Sequence, residues 1–295
     1  MAALPKSARI GFVGLGNLGL PMATALVRAG WSVTAYDVNP GPVATMAERG
    51  ADGADSLGDL AGCQVLALAV PDDDTVTAVL DTPKLLGQLA DDAVLAVHST
   101  VLPATARELG ERARKRSLAF LDAPVSGGAE RAERGALTVM VGADEGALDP
   151  ARPYLDTIAE QVVHAGPPGA GAAVKLANQL MMFASLAGTH EALRLAQAHE
   201  VPVETVLEVA RTSTGDSWSA REWGFFDRTA QAYDASEVPV RSRPWSKDLW
   251  EVVAAGRVAG VAMPVAGLLA QTLADVVEEH ARSVGPESSG GESAG

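Results

Sequence analysis

Residues 9–37 read RIGFVGLGNLGLPMATALVRAGWSVTAYD, and this segment predicts the fold of the N-terminal half of the chain. Arg9–Gly14 is an apolar run typical of a buried strand, Asn17–Ala29 has helical periodicity, and Ser32–Asp37 is a second strand. Between the first strand and the helix, three glycines permit a tight turn and a close approach of the main chain to a pyrophosphate. The free N–H groups and positive dipole of the helix N-terminus favour the same anion. The segment therefore predicts a dinucleotide-binding unit.

The acidic residue that ends the second strand predicts which dinucleotide binds. A carboxylate at Asp37 can accept hydrogen bonds from both ribose hydroxyls and would repel a 2′-phosphate. Residues 38–40 contain no arginine that could hold such a phosphate, so the pattern favours NAD and leaves NADP open. The alternative is a glycine turn with only a structural role. The candidate cofactor-binding residues of the turn are Gly14, Gly16, Asn17, Leu18 and Gly19.

The alternation of strands and helices continues to about residue 164. Further strands are predicted at Gln64–Val70, Ala93–His98, Leu118–Asp122 and Leu137–Val141, and helices at Pro40–Arg49, Thr75–Leu80 and Pro103–Arg116. Near-continuous apolar strands that alternate with helices are typical of a doubly wound α/β sheet covered on both faces. We therefore expect a Rossmann-type NAD-binding domain over residues 8–165.

The second part of the chain is predicted to be all-helical. The breaker-rich segment GPPGAG at residues 166–171 precedes one long helix, Ala172–Glu200, which would join the two domains. Further helices are predicted at Val203–Thr212, Ser217–Ala232, Trp245–Val258 and Val265–Ser283. We expect a helical substrate and oligomerisation domain over residues 166–283, followed by a disordered tail over residues 284–295 that has little to bury.

Composition narrows the classes of function. The formal net charge is −14, so nucleic acids and anionic membranes, which bind clustered Lys and Arg, are not expected as partners. Cys63 is the single cysteine, which leaves no intramolecular disulfide and fits a cytoplasmic protein. No segment looks like a targeting signal, and we expect no membrane span, since no apolar run is long enough. The scattered histidines predict no metal site.

A loop after the strand that ends at Asp122 carries groups suited to a small carboxylate. The segment DAPVSGG at residues 122–128 places the Ser126 hydroxyl beside the unhindered N–H groups of Gly127 and Gly128. Such an arrangement can cradle a carboxylate. On its own, however, this motif more often marks a plain loop.

A lysine near the start of the long helix is the candidate acid/base. Lys175, Asn178 and Gln179 are spaced i, i+3 and i+4, so they share one helix face. A lysine desolvated in this apolar helix would have a lowered pKa and could exchange a proton with a substrate hydroxyl. The alternative is a surface lysine whose charged end reaches solvent.

Together, these motifs resemble the β-hydroxyacid dehydrogenase family, which includes 3-hydroxyisobutyrate dehydrogenase, tartronate semialdehyde reductase and the short relatives of 6-phosphogluconate dehydrogenase. The resemblance runs from about Arg9 to His280 and includes the motif order, the long helix and the triplet Lys247-Asp248-Leu249. It implies hydride transfer between NAD and a short β-hydroxy acid, with Lys175 as general acid/base. It also implies that the active site lies in the cleft between the two domains.

The resemblance assigns roles to further residues. The substrate-binding positions that it implies are Ser126, Gly127, Gly128, Asn178 and Gln179. The cofactor-lining positions that it implies are Val70, Pro71, Thr75, Thr100 and Lys247. The Ala-rich long helix exposes much apolar surface for a monomer, so we expect a homodimer or homotetramer.

Some positions depart from the family pattern. Gln179 stands where many members carry Asn, and His98 stands where Asp is common, so we expect His98 to be structural. Arg241 and Arg243 could bind a second anionic group of the substrate, or they could be solvent-facing loop charges. Two alternative functions remain. An imine reductase of the same fold generally lacks the lysine, and a catalytically silent dinucleotide-binding module typically loses it.

Overall fold

The structure is a computed structural model that describes residues 3–285. Within these residues the chain folds into two compact units, the first ending at Lys175 and the second beginning at Leu176. The tail expected over residues 284–295 lies outside the described residues from residue 286 onward. Of the described helices, none is both long and apolar enough to cross a bilayer.

The first unit is built on one twisted sheet. Its strands are β1 (Arg9–Val13), β2 (Ser32–Tyr36), β3 (Asp52–Gly53), β4 (Val65–Leu68), β5 (Val94–Val97), β6 (Ala119–Asp122), β7 (Val125–Ser126), β8 (Leu137–Ala143) and β9 (Ala159–Gly166). Their spatial order is β3-β2-β1-β4-β5-β6-β8-β7, and β9 pairs with β8. The six strands from β3 to β6 are mutually parallel, as the alternating pattern predicts.

Helices cover both faces of this sheet. They are α1 (Gly19–Arg28), α2 (Pro40–Glu48), α3 (Asp73–Leu80), α4 (Leu85–Gln88), α5 (Pro103–Arg114), α6 (Gly128–Glu133) and α7 (Leu148–Ile158). Strand β4 shows why the strand sequences are apolar throughout. Val65 and Ala67 pack into the core on one face, and Leu66 and Leu68 pack into the core on the other. Because successive side chains of a strand point to opposite faces, a sheet covered on both sides needs an unbroken apolar run.

The edge of the sheet differs from the sequence-based expectation. Strand β8 runs antiparallel to β6 and β7, and β9 then adds in parallel to β8. Strands β3, β7 and β9 were not predicted. Two of them have only two residues, and β9 (AEQVVHAG) is mostly exposed, so none carries a buried apolar run.

The second unit is helical. The long helix α8 (Ala170–Ala198) begins in the first unit and continues into the second. The helices that follow are α9 (Val203–Thr212), α10 (Trp218–Arg221), α11 (Phe225–Ala235), α12 (Pro244–Ala259) and α13 (Pro264–Val284). An aromatic and aliphatic core joins α8, α11, α12 and α13, with Phe183, Phe226, Trp245, Leu249 and Leu273 among its buried members. Helices α9 and α10 pack on α8 through a smaller cluster of Leu193, Leu207 and Ala220.

The single helix predicted over Ser217–Ala232 is wrong, because the chain forms two helices there. Ser217 caps the short α10 by accepting a hydrogen bond from the Ala220 N–H at 3.2 Å. Gly224, which immediately precedes α11, has φ of +90°, a left-handed conformation that ends one helix before the next begins. The apolar periodicity on both sides of this glycine conceals the break.

Candidate active site

The predicted cofactor-binding turn lies at the carboxyl end of β1, between β2 and β4. Gly14 has φ of +93° and donates its N–H to the Tyr36 carbonyl oxygen at 2.9 Å. A Cβ at Gly14 would lie 2.5 Å from the carbonyl oxygen of Ala69, so both the backbone conformation and the close approach require glycine. The strand order reverses direction at β1, which is where open α/β sheets bind their ligands.

The remaining turn residues fit a dinucleotide. A Cβ at Gly19 would collide with the Gly14 carbonyl oxygen, so the start of α1 packs tightly on the strand. By contrast, a Cβ at Gly16 would meet no atom of the described residues within 4 Å. Space therefore remains beside the main chain at the point where a pyrophosphate would approach it. Asn17 and Leu18 complete the turn, and α1 begins at Gly19, two residues later than the pattern predicts.

Asp37 ties this turn to the end of β2. One carboxylate oxygen accepts the Leu15 N–H at 2.7 Å, and the other accepts the Asn39 N–H at 2.8 Å. The side chain is only half-buried. Each carboxylate oxygen has a second lone pair, so these bonds leave acceptor capacity for ribose hydroxyls.

The predicted cofactor-lining residues after β4 and β5 lie at the same edge of the sheet. The Val70 N–H donates to the Ser99 hydroxyl at 2.9 Å, which links the ends of these two strands just before Pro71 and Thr100. The Thr75 hydroxyl and N–H both donate to the Asp72 carboxylate, at 2.6 and 2.8 Å. The Thr75 hydroxyl proton is therefore already used in capping α3.

Asp122, to which the sequence analysis gave no role, caps the helix that carries the candidate acid/base. Its two carboxylate oxygens accept the N–H groups of Gly169 and Ala172, at 2.8 and 2.7 Å. These are donors that a helix start leaves without intrahelical partners. Burial raises the pKa of Asp122 to about 6, although the main-chain N–H donors oppose that rise.

Two glycines make room for this cap. A Cβ at Gly142 would collide with the Asp122 carboxylate, and a Cβ at Gly171 would collide with the main chain of β6 and β8. The start of α8 therefore lies directly against the strands β6 and β8. A glycine at each position is required by close packing, since neither has a positive φ.

The cap brings Lys175 to the predicted carboxylate loop. The Lys175 side chain is 7% exposed, and its Nζ donates to the Val125 carbonyl oxygen at 2.8 Å. Val125 immediately precedes Ser126, which is half-buried at the end of β7. Gly127 and Gly128 follow with φ of +140° and +75°, conformations that favour glycine. The first unit thus holds the candidate acid/base next to the candidate carboxylate cradle.

Asn178, Gln179 and Lys247 belong to the second unit. Asn178 is half-buried, one turn after Lys175 along α8. Gln179 is buried and donates its side-chain amide to the Asp248 carboxylate at 2.5 Å. Asp248 was quoted in the sequence analysis only as part of a family triplet, and the structure shows that it orients Gln179.

Lys247 is held by neighbouring carboxylates. Its Nζ lies 3.0 Å from Asp248 and 2.7 Å from Glu251. Burial alone would lower the pKa of Lys247, but the two carboxylates outweigh burial and raise it well above its usual range. Lys247 is therefore a fixed cation in this unit, suited to an electrostatic role and not to proton exchange.

The two arginines of the loop before α12 have different environments. Arg243 is buried and pairs with Glu278 at 2.7 Å and with Asp234 at 2.5 Å. The expectation of a solvent-facing loop charge is therefore wrong for Arg243, and its ion pairs also leave it unsuited to a substrate anion. Arg241 is exposed, as that expectation has it.

His98 is structural, as predicted. Its Nδ1 lies 2.8 Å from the Ala123 carbonyl oxygen and its Nε2 lies 2.7 Å from the Tyr154 hydroxyl. Burial lowers the pKa of His98 to about 4 despite the hydrogen bond to Ala123, so the ring is neutral near pH 7. The described residues contain no group of three or more His, Cys, Asp or Glu side chains placed to hold a metal ion.

Family models match nearly the whole chain. The model of the NAD binding domain of 6-phosphogluconate dehydrogenase matches residues 9–166. A second model, described as the NAD-binding domain of NADP-dependent 3-hydroxyisobutyrate dehydrogenase, matches residues 169–286. The boundary between the two matches falls at the turn into α8.

The chain is also similar in sequence and structure to individual proteins of the same kind. The chain is 38% identical over 213 residues to an NAD-dependent L-serine dehydrogenase of Pseudomonas aeruginosa, covering 72% of each chain. It is 35% identical over 269 residues to a 3-hydroxyisobutyrate dehydrogenase of the same organism, covering 90% of each. Among solved structures, the 3-hydroxyisobutyrate dehydrogenase of Mycobacterium tuberculosis with L-serine is 28% identical with a TM-score of 0.79, covering 93% of this chain and 95% of that one. The chain therefore belongs to the β-hydroxyacid dehydrogenase family, with a dinucleotide-binding Rossmann domain followed by a helical domain.

Proposed function

We propose that this protein transfers hydride reversibly between NAD and the carbinol carbon of a short β-hydroxy acid, with Lys175 as the general acid/base. The observation that carries the proposal is the hydrogen bond from the buried Lys175 Nζ to the Val125 carbonyl, which holds the amine beside Ser126. If the carboxylate of a β-hydroxy acid lies in the Ser126 loop, the hydroxyl is on the second carbon from the carboxyl carbon. The amine is therefore held where a short hydroxy acid would need a proton acceptor.

The Ser126 loop is the proposed carboxylate site. The Ser126 hydroxyl and the N–H groups of Gly127 and Gly128 would donate to the substrate carboxylate. Asn178, one helical turn after Lys175, would orient the substrate hydroxyl, and Gln179, which Asp248 orients, would line the substrate pocket.

Lys175 would work in both directions. For oxidation, the neutral amine accepts the proton of the substrate hydroxyl, and for reduction, the ammonium returns it. When bound, the nicotinamide supplies the hydride acceptor or donor. The protein would hold the dinucleotide at Gly14, Gly16, Asn17, Leu18 and Gly19, at Val70, Pro71, Thr75 and Thr100, and at Lys247.

Asp37 is the proposed selector of NAD over NADP. Its carboxylate stands at the end of β2 and retains acceptor capacity beyond the Leu15 and Asn39 N–H groups. It would bind the ribose hydroxyls and repel a 2′-phosphate. The relative described as NAD-dependent supports this choice.

We also propose that the protein is a homodimer or homotetramer. The second unit exposes large apolar side chains, which a monomer of this size rarely leaves uncovered as a group. They include Met181, Leu195, Trp250, Val258 and Leu268. Sedimentation at micromolar concentration tests this proposal, and a monomeric mass would contradict it.

An initial-rate screen tests the proposed reaction. The protein is given NAD or NADP with 3-hydroxyisobutyrate, L-serine, glycerate, 3-hydroxypropionate or 4-hydroxybutyrate, and the reverse reaction is run with the semialdehydes. We expect NAD-dependent turnover of one short β-hydroxy acid. The names of the relatives place 3-hydroxyisobutyrate and L-serine first in the order of testing.

The screen separates the alternatives. Turnover with NADP alone would keep the reaction and overturn the role of Asp37. Reduction of a cyclic imine without turnover of any hydroxy acid would indicate an imine reductase instead. Dinucleotide binding without turnover of either class would indicate a catalytically silent module.

A further inference from the structure

A cavity lies wholly within the helical unit, apart from the residues assigned to catalysis. Its volume is about 580 Å³. That volume falls in the range of small-molecule sites. The charged and aromatic side chains that matter for its chemistry are His190, Arg194, Trp223, Asp227, Arg228 and His280. His190 follows Gln179 by eleven residues on α8, which is about 16 Å along the helix axis.

The floor of this cavity is the imidazole of His190. His190 is 5% exposed, and its contacts within residues 3–285 are the edge-to-face packing of its ring on Trp223 and on His280. Neither ring nitrogen has a hydrogen-bond partner among those residues. The two ring nitrogens are not among the fully buried unpaired atoms of the described residues, so they remain accessible to a ligand in the cavity.

The protonation state of His190 determines which ligand groups it can hydrogen-bond. Burial, together with the nearby charges of His280 and Arg194, lowers the pKa of His190 to about 4, although Asp227 opposes this shift. At neutral pH the ring is uncharged and offers one N–H donor and one acceptor. It therefore suits a polar but uncharged group, or one oxygen of a carboxylate.

Two other residues that line the cavity, His280 and Asp227, already pair with each other. His280 Nδ1 lies 2.7 Å from the Asp227 carboxylate, which fixes the ring against Trp223 at a centroid distance of 5.1 Å. The Trp223 ring, together with Leu193 and Val203, supplies apolar lining. This wall suits the flat or branched body of a small organic molecule.

The rim carries two guanidinium groups. Arg194 and Arg228 are exposed, and neither forms an ion pair within the part of the chain that the structure describes. Guanidinium groups match the geometry of a carboxylate. Glu204 also lines the cavity, and Asp227 lies in its wall. These two acidic side chains would repel a ligand with more than one negative charge.

We propose that this cavity is a second ligand site, which binds a small monocarboxylate with a planar or branched apolar body. The carboxylate would pair with Arg194 and Arg228 at the rim, and the body would pack on Trp223 with a polar edge against His190. This site is independent of the proposed hydride transfer, because none of its residues is assigned to that reaction.

Calorimetric titration of the full-length chain with benzoate tests the proposal, in the absence of dinucleotide and hydroxy acid. Acetate, which lacks the apolar body, and benzyl alcohol, which lacks the charge, serve as comparison ligands. The key variant is Arg194→Met/Arg228→Met, whose two positions are exposed and should leave the fold intact. His190→Phe is a second variant, which removes the polar floor. Arg221→Met is the matched control, since Arg221 is an exposed arginine already paired with Asp216.

We expect benzoate to bind saturably with a Kd below about 10 mM, and both comparison ligands to bind more weakly. Binding should weaken about tenfold or more in the double arginine variant, because charge-assisted hydrogen bonds are lost. It should weaken also in His190→Phe and be unchanged in Arg221→Met and in Lys175→Met. The proposal is overturned if benzoate does not bind, or if Lys175→Met abolishes binding and the arginine variant retains it. In the latter case the ligand would occupy the Ser126 loop.

Discussion

Lys175 donates a hydrogen bond of 2.8 Å from its Nζ to the main-chain carbonyl oxygen of Val125. This bond joins the first turns of α8 to the strand that leads into the Ser126 loop. A buried lysine is costly unless its charge is stabilised or its proton is given up. In the first unit, the buried Lys175 lies next to the loop suited to a carboxylate.

Removing the cap of α8 should destabilise the protein. In Asp122→Ala, the buried N–H groups of Gly169 and Ala172 lose their acceptors. The free energy of unfolding should fall by about 2–4 kcal/mol, as expected for a lost cap with buried unpaired donors. Denaturant unfolding measures the change. Gly41→Ala is the control, because a Cβ there meets no atom of the described residues within 4 Å.

A double-mutant cycle tests the packing of that cap. Gly142→Ala should destabilise the protein by about 1–3 kcal/mol, because its new methyl group collides with the Asp122 carboxylate. Combined with Asp122→Ala, which removes the carboxylate, the same methyl group should cost less. The two losses should therefore fall short of additivity by about 1 kcal/mol or more. Strict additivity would mean that Gly142 is required for another reason.

Asp37→Ser should shift the cofactor preference. The shorter hydroxyl keeps a polar group but removes the charge that repels a 2′-phosphate. We expect the ratio of kcat/KM for NAD to that for NADP to fall about 10- to 100-fold, the size of one or two lost charge-assisted bonds. Asp52→Ser, at an exposed position on β3, is the control. An unchanged ratio would remove Asp37 from cofactor selection.

Acid should destabilise the fold through His98. Its pKa is about 4 in the folded protein, against 6.5 for an unperturbed histidine. The unfolded chain therefore takes up a proton first as the pH falls, and stability that is present above pH 6.5 is lost toward pH 4. Between pH 7 and pH 5 this group should lower the free energy of unfolding by about 2 kcal/mol.

The variant His98→Gln isolates that contribution. Asp122 acts in the opposite direction, since its pKa is raised to about 6 and the folded protein gains stability as it takes up that proton. The difference in pH dependence between the wild type and His98→Gln removes this common background. His199→Gln, at an exposed histidine, should keep the wild-type slope. If His98→Gln kept that slope as well, the buried His98 ring would not be the source.

The parts of the fold that follow from local pattern were predictable. Strand β4 must be apolar at every position because both of its faces are buried, and its sequence shows this directly. The turn at Gly14 requires a positive φ and a close approach to Ala69, so its glycines stand out in the sequence. Lys175 stands out as an isolated lysine in an apolar helix, but this pattern alone favours a surface lysine, and its role as acid/base rests on the resemblance to the family.

The parts that depend on distant segments were not predictable. Asp122 caps a helix start 47 residues away, and Gln179 pairs with Asp248 at a separation of 69 residues. Arg243 looks like a loop charge until Glu278, on α13, is brought against it. None of these pairings leaves a periodic signal, because each partner is one polar residue in an ordinary local context.

The most direct measurement compares the turnover of the wild type with that of Lys175→Met, with NAD and the best β-hydroxy acid from the screen. Methionine keeps the length and packing of the side chain but cannot exchange a proton. We predict a fall in kcat of about 10²- to 10⁴-fold, the usual contribution of a general acid/base. NADH binding, followed by its fluorescence, should stay unchanged. Turnover within a few-fold of the wild type would contradict the role of Lys175 as the acid/base.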